Sequence, residues 1–507
     1  MLRAGAVSAV LVVLGAVLGL GRDLILARYF GASAATDAFL VAWLIPETAA
    51  PLLVEDAMAF LLVPAFTRAL IEGKASVRDL MARTLPRISV LLVVVSAGCA
   101  VLSPHLVAVL APGLADPELA VRCMRLTAIS VLMLGLAGYL SAALRSHGVY
   151  GPPAAIYAAG NVAVIGAIVL LHGRLGVVSA AWGIAAGGVL MVAVQVPSLL
   201  RRIGLPRRVG GLPQGVAPVG AVITLGAFVP IACYTLTRQA QVFVERFFGA
   251  SLPPGTISHL NYAQKVAQMP VTLTLVVVLV TFPILARSLA GGHTEEARRR
   301  VEADLRLVAA LVLLATAYLV AFAPVIVQVL FQRGEFDAAD TAATASVLRV
   351  YALGLLGQAM VSVLCRCFFS KESSWYPARL MALGLLATAL VAAVGSPIWG
   401  AEALAAANAI GITLAAVLML LGVRHRVVPV SAPAVGAMVG RLAVPAVAAG
   451  VAGWLVLQLT PGLPALLVLL LGGVTTTAVF LALAAVLDPG GSRQLRTLLT
   501  PGVRRAG

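Results

Sequence analysis

The sequence predicts an all-α polytopic membrane protein with about fourteen transmembrane helices, and three observations carry that prediction. Apolar residues make up 61% of the 507 positions and charged residues only 11%, whereas soluble domains carry about 25% charged residues. Runs of about 20 apolar residues, the length that crosses a bilayer as a helix, recur from one end of the chain to the other. The charges gather in alternating connections between those runs. Mean hydropathy is +1.03, and no polar block is long enough for a separate soluble domain. Inside a bilayer each span has to satisfy its own backbone hydrogen bonds, which selects helices.

The apolar runs fall at roughly 5–30, 35–66, 86–111, 119–144, 152–171, 177–199, 217–248, 257–286, 304–331, 339–369, 378–395, 402–422, 434–458 and 463–487. The first follows Arg3 as a secretory leader would. It runs past leader length into Arg22 and Asp23, so it reads as a retained span. Several runs exceed the bilayer thickness and must tilt, bend or project into water. Pro46 and Pro51 predict a kink in the second run, and Pro230 one in the seventh.

Charge sets the orientation. The connection after the second run holds Arg68, Lys74, Arg78, Arg83 and Arg87, and the one after the sixth holds Arg201, Arg202, Arg207 and Arg208. Arg287, Arg298, Arg299, Arg300 and Arg306 follow the eighth run, Arg424 and Arg426 the twelfth, and Arg493, Arg496, Arg504 and Arg505 lie in the tail. The opposite connections are short and neutral or acidic, with Asp116 and Glu118 in one and Glu335, Asp337 and Asp340 in another. Basic connections stay in the cytoplasm, so both termini are expected there. The net charge of +16 is then loop charge, and a nucleic-acid partner is not expected.

The first and seventh runs each open a block of six spans, and both openings carry intramembrane ions. Two lobes of like orientation around a central cavity are expected. The divisions are 1–200 for the N-terminal lobe, 201–216 for a cytoplasmic linker rich in Arg, Pro and Gly, and 217–426 for the C-terminal lobe. Residues 427–507 hold two further helices and the basic tail.

The stretch GRDLILARYFGASAATDAFLVAWLIP, residues 21–46, is the chemical centre of the sequence. A charge at the bilayer centre costs about 2.5–3.5 kcal/mol on insertion scales, so Arg22, Asp23 and Asp37 need partners, an interface or a polar cavity. Neighbours in sequence do not share a helix face, so Arg22 and Asp23 are expected to find partners elsewhere. Glu55 and Asp56 supply further carboxylates, and Arg28 reads as a snorkelling anchor. Arg238, Gln241 and Glu245 recur at helical spacing as one polar stripe, readable as a buried network or a ligand site. Lys265, in NYAQKVAQMP, reads either as an interfacial anchor or as an anion contact. The candidate substrate-binding set is therefore Arg22, Asp23, Asp37, Glu55, Lys265 and Arg238. No catalytic residue, metal ligand or cofactor is expected. The sequence has no phosphate-binding loop, its six histidines are dispersed, and Cys365 and Cys367 lack a second ligand pair. Arginine and lysine in a cavity with apolar walls suit an amphiphilic anion: a phosphate on the cations, a lipid tail in the bilayer.

Three stretches resemble the MurJ (MviN) lipid II flippases of the multidrug/oligosaccharidyl-lipid/polysaccharide exporter superfamily. They are residues 21–46, SHLNYAQKVAQMP, and VLFQRGEFDAADTAATASVLRVYALGL from Val329 to Leu355. The resemblance implies two six-helix lobes around a cavity and two C-terminal helices bordering a lipid-accommodating groove. It implies outward movement of polyprenyl-diphosphate-linked peptidoglycan precursor across the bacterial cytoplasmic membrane by alternating access. The drive would come from membrane potential or a monovalent cation, and envelope-synthesis proteins would be partners. Carried over by position, Arg22 matches a cavity arginine, Asp37 the acid of the ATDAF motif and Glu55 an acid of the second helix. Lys265 stands where the family usually has arginine. Ala16, Ala50 and Pro51 stand where it usually has further arginines, and Thr388 and Ala392 lie where members often carry sodium ligands. Two other readings are carried. One is a flippase for another lipid-linked polysaccharide precursor, or a drug/cation antiporter of the same superfamily. The other is a non-transporting scaffold in envelope synthesis.

Overall fold

The structure is a computed structural model that describes residues 2–207, 225–291, 293–371 and 375–487. Among the described residues every regular element is helical. In chain order these are α1 (Leu2–Phe30), α2 (Ala34–Ala50), a π-helical turn (Pro51–Asp56), α3 (Ala57–Glu72), α4 (Lys74–Val101), α5 (Ser103–Leu110), α6 (Pro117–Ser146), α7 (Gly151–Leu175), α8 (Val178–Ala193) and α9 (Val196–Arg202). There follow α10 (Leu225–Gly249), α11 (Thr256–Ala290), α12 (Thr294–Phe331), α13 (Ala338–Lys371), α14 (Trp375–Arg426), α15 (Ala432–Leu459) and α16 (Ala465–Leu487). Eleven helices are long and apolar enough to cross a membrane among the described residues. One of them, α14, contains two predicted spans end to end, and the seventh and eighth predicted spans fall on α10 and α11. The predicted count of fourteen is consistent with this. The tail arginines, Arg208 and the rest of the predicted linker up to residue 216 lie outside the described residues.

The chain divides into two compact units, residues 1–258 with 333–337, and residues 259–332 with 338–507. In the first unit α6 is the central helix. It packs against α2, α3, α4, α5 and α8, while α1 lies along α7 and α7 along α8. Lipid is as apolar as leucine, so close backbone approach and polar contacts replace the hydrophobic effect as the cohesive force between helices. On α7 and α8, a Cβ at Gly187 would stand 2.9 Å from the Gly160 carbonyl oxygen, so only glycine permits this approach. Around α6, Tyr139 packs edge-on against Phe66 at 5.4 Å and shares a 2.8 Å hydrogen bond with Thr84. Gln195 accepts from Ser141 at 2.9 Å and donates to the Ala137 carbonyl at 3.0 Å.

The second predicted span shows how proline is accommodated. Pro46 lies within continuous helix α2. Its missing N–H leaves the Ala42 carbonyl without its helical donor, and the Thr127 hydroxyl of α6 donates to that oxygen at 2.8 Å. At Pro51 the ladder yields instead: the π-helical turn begins there and separates α2 from α3. A π turn is where an α-helix absorbs one residue of slack.

In the second unit α13 packs between α12 and α14, and α15 and α16 pack on each other and on α12. Gly400, at φ 58°, breaks α14 into two antiparallel halves. That conformation excludes ordinary side chains. The appended pair is seated by Phe322 of α12, whose ring lies against Gly453 and Gly472.

Candidate functional site

The site is built on the 21–46 stretch. α1 closes at Gly31, whose N–H returns to the Ala27 carbonyl at 2.8 Å. Ser33 then caps α2 by accepting from the Thr36 N–H at 3.3 Å. The turn places Trp43 of α2 beside Arg22 of α1, with the guanidinium carbon 4.1 Å from the ring centroid.

Arg22 is mostly buried and fully engaged on one side. Its Nη2 and Nε donate to Asp23 Oδ1 at 2.7 and 3.0 Å, and its Nη1 donates to Asn161 Oδ1 at 3.3 Å. Asn161 in turn donates from Nδ2 to the Gly15 carbonyl at 3.1 Å, about two helical turns back along α1 from Arg22. The expectation that Arg22 and Asp23 would turn apart is corrected. Their Cα–Cβ bonds diverge, but the long arginine side chain curls sideways and brings its fork onto the neighbouring carboxylate. Pairing the two within one turn makes the cluster neutral, which lowers the cost of holding both in a membrane span. At least one guanidinium N–H remains beyond those committed here, since arginine carries five.

Asp37 is buried in a different setting. Oδ2 accepts from the Gly255 N–H at 2.7 Å, and Oδ1 accepts from the Ser258 N–H at 2.7 Å and the Ser258 hydroxyl at 2.6 Å. The free N–H groups that open α11 thus converge on a carboxylate, the arrangement a helix N-terminus favours. Arg246, also buried, acts on Asp37 electrostatically and donates to the Ile257 carbonyl at 3.1 Å. Asp37 therefore serves as the anchor of residues 255–258.

The other candidates separate. The predicted stripe on α10 divides: Arg238 is exposed, whereas Gln241 and Glu245 are buried. Glu55 lies in the π-helical turn, and its side chain lies outside the described residues. Lys265 is half-buried on α11, while Asn261 and Tyr262 just before it are buried, Tyr262 against Phe331 at 5.1 Å. Arg28 is exposed, as an anchor would be, and its carbonyl accepts from the Glu335 N–H at 2.9 Å.

Against known proteins, a model of the family described as lipid II flippase MurJ matches residues 26–474. The chain belongs to the MurJ family. The lipid II flippase MurJ of Burkholderia cenocepacia is 28% identical over 432 residues, 82% of each chain. A solved MurJ in an inward closed conformation has a TM-score of 0.79 and 16% identity, covering 97% of this chain and 99% of its own. An inward-facing MATE family multidrug transporter of the MOP superfamily scores 0.69 at 14% identity, covering 83% and 95%. These likenesses establish the all-α transporter fold and a multi-pass membrane protein. The MurJ match begins just after Arg22, so the Arg22 cluster stands on its own geometry.

Three members of the site were not singled out from sequence. Asn161 is the sole amide in the run 152–171, and that isolation was a usable signal. Trp43 carries no such mark, because an aromatic in an apolar span is ordinary. Ser258 precedes the NYAQK stretch and reads as a helix-start residue, but its partner lies more than two hundred positions away.

Proposed function

We propose that this protein is a lipid II flippase: it moves the polyprenyl-diphosphate-linked peptidoglycan precursor outward across the bacterial cytoplasmic membrane. The observation that carries this reading is the MurJ family match over residues 26–474. The relative from Burkholderia cenocepacia named lipid II flippase supports it. The chemistry agrees with such a cargo. A diphosphate needs planar, multi-donor cations, and arginine supplies them. Arg22 and Lys265 bind the diphosphate, with Arg238 as an additional exposed cation. Because Asp23 already occupies Arg22, the incoming diphosphate competes with an internal carboxylate. That exchange gives binding without leaving a bare cation when the site is empty.

The two lobes rock to expose the site alternately to the two sides. Membrane potential or a monovalent cation drives the cycle, and the proteins that make and consume the precursor are the partners. Both termini lie in the cytoplasm. The MATE-like fold alone favours an antiporter, but by fold similarity weaker than that to MurJ.

The test is complementation of a bacterium depleted of its own lipid II flippase, with membrane insertion checked for every variant. The native chain is expected to restore growth, Arg22→Ala to fail, and Arg22→Lys to fall between. Growth with Arg22→Ala removes Arg22 from the site. Failure of the well-inserted native chain overturns lipid II as the cargo.

A further inference from the structure

A second arginine stands inside the membrane, far from the cluster above in the sequence. On α13, Gly354 and Gly357 pack against Ala409 and Thr413 of α14, and the Ala352 carbonyl accepts from Thr316 of α12 at 3.1 Å. Arg349 and Leu353 fall between those two packed faces at 100° per residue, and both are exposed. They open onto a cavity of about 600 Å³ walled by α12, α13 and α15. Val320, Val447, Val451 and Trp454 are among its lining residues, and Arg349 is the one charged residue that lines it.

α13 has 34 residues, about 51 Å of helix, longer than an apolar core of about 30 Å. Arg349 lies about 16 Å from its start, within the predicted span 339–369. Gly450 faces Ala317 and Gly453 faces Ala321, so α15 runs parallel to α12. Trp454, near the end of α15, therefore sits at the boundary on the side of the α12–α13 turn, where interfacial tryptophans belong.

Arg349 is also oriented. Pro324 of α12 leaves the Val320 carbonyl without its helical donor, and Arg349 Nε donates to it at 3.3 Å. Among the described residues that is the partner the structure gives the guanidinium, and Arg349 lines the cavity. One turn toward the helix start, the Ser346 hydroxyl holds Glu402 at 2.7 Å. Glu402 forms no ion pair with Arg349 among the described residues.

We propose that this groove is a binding site for an anionic phospholipid of the leaflet on the α12–α13 turn side. Its phosphate sits on Arg349 and one acyl chain lies along Val320, Leu353, Val447 and Val451. Charge complementarity selects the occupant. An apolar slot with a lone cation on the α12–α13 turn side matches a phosphate joined to a hydrocarbon chain. A zwitterionic lipid brings a phosphate already offset by its own ammonium, so it pairs the guanidinium less strongly than an anionic one. This lipid is a resident ligand and not the cargo, and the proposal does not depend on which cargo is moved.

The full chain is purified in mild detergent, exchanged into nanodiscs with equal parts phosphatidylglycerol and phosphatidylcholine, and read for retained lipid by native mass spectrometry after release. Retention of phosphatidylglycerol over phosphatidylcholine is expected, with about a tenfold loss in Arg349→Leu, the value of one charge-assisted contact. Val447→Trp, at an exposed position, keeps the cation but fills the slot, and it too should lose the lipid. Equal retention by the native chain and either variant overturns the proposal. So does phosphatidylcholine held as well as phosphatidylglycerol. Displacement of phosphatidylglycerol by a short polyprenyl diphosphate at substoichiometric concentration also overturns it, by making the groove part of the cargo route.

Discussion

Arg22 and Asp37 carry opposite charges in neighbouring helices, and the structure gives them different work. Arg22 keeps donor capacity beyond its partners, with Asp23, Asn161 and Trp43 holding the guanidinium in place. Asp37 has three hydrogen bonds on two oxygens, all from residues 255–258. Removing a buried group of this kind strands its partners, here two backbone N–H groups and the nearby Arg246. Asp37→Ala is therefore expected to cost about 3–5 kcal/mol of stability. Asp37→Asn, which keeps one acceptor oxygen, should cost less. Thermal unfolding of the detergent-solubilised protein measures both, and an unchanged midpoint for Asp37→Ala means the anchor contributes nothing.

At the scale of an element, α2 shows how a membrane helix carries proline without breaking. Thr127 donates to the Ala42 carbonyl that Pro46 leaves free. The same device recurs where Arg349 donates to the Val320 carbonyl freed by Pro324. Thr127→Val should destabilise the protein by about 1–3 kcal/mol, the cost of a buried unsatisfied carbonyl. On a Pro46→Ala background the helix regains its own N–H donor, so the same substitution should cost under about 1 kcal/mol. A double-mutant cycle by denaturant or thermal unfolding reads the coupling. Equal losses on both backgrounds would show that Thr127 acts elsewhere. At Gly400 the backbone sits at φ 58°, and any L side chain is strained there. Gly400→Val should reduce the yield of folded protein, as judged by size-exclusion profile.

At the scale of the molecule, the basic connections and the acidic ones sort onto opposite sides by sequence alone. We expect Glu335→Cys to react with a membrane-impermeant maleimide on intact cells, and Arg207→Cys to react only after the membrane is opened. The native cysteines are buried or half-buried, so the background should be low. Labelling with the opposite sidedness would reverse the proposed orientation and, with it, the direction of transport.

Composition and period determined the class. Long apolar runs must become helices in lipid because no other open structure satisfies the backbone there, and the predicted spans fall on the helices observed. The importance of Arg22 and Asp37 was legible for the same reason: an ion inside such a run is costly, so its presence has to be offset. Their partners were not legible. Asp37 meets Ser258, and Arg22 meets Asn161, across separations of 221 and 139 residues, and no periodicity encodes which helices lie side by side. Nor was the pairing of Arg22 with its neighbour Asp23 legible. Face rules describe where Cβ points, while the end of an arginine side chain, several bonds further on, goes where charge draws it. Tertiary structure decided which ions are anchors and which keep a free face. In a membrane that outcome depends on which carbonyls, amides and carboxylates the fold brings within hydrogen-bond length.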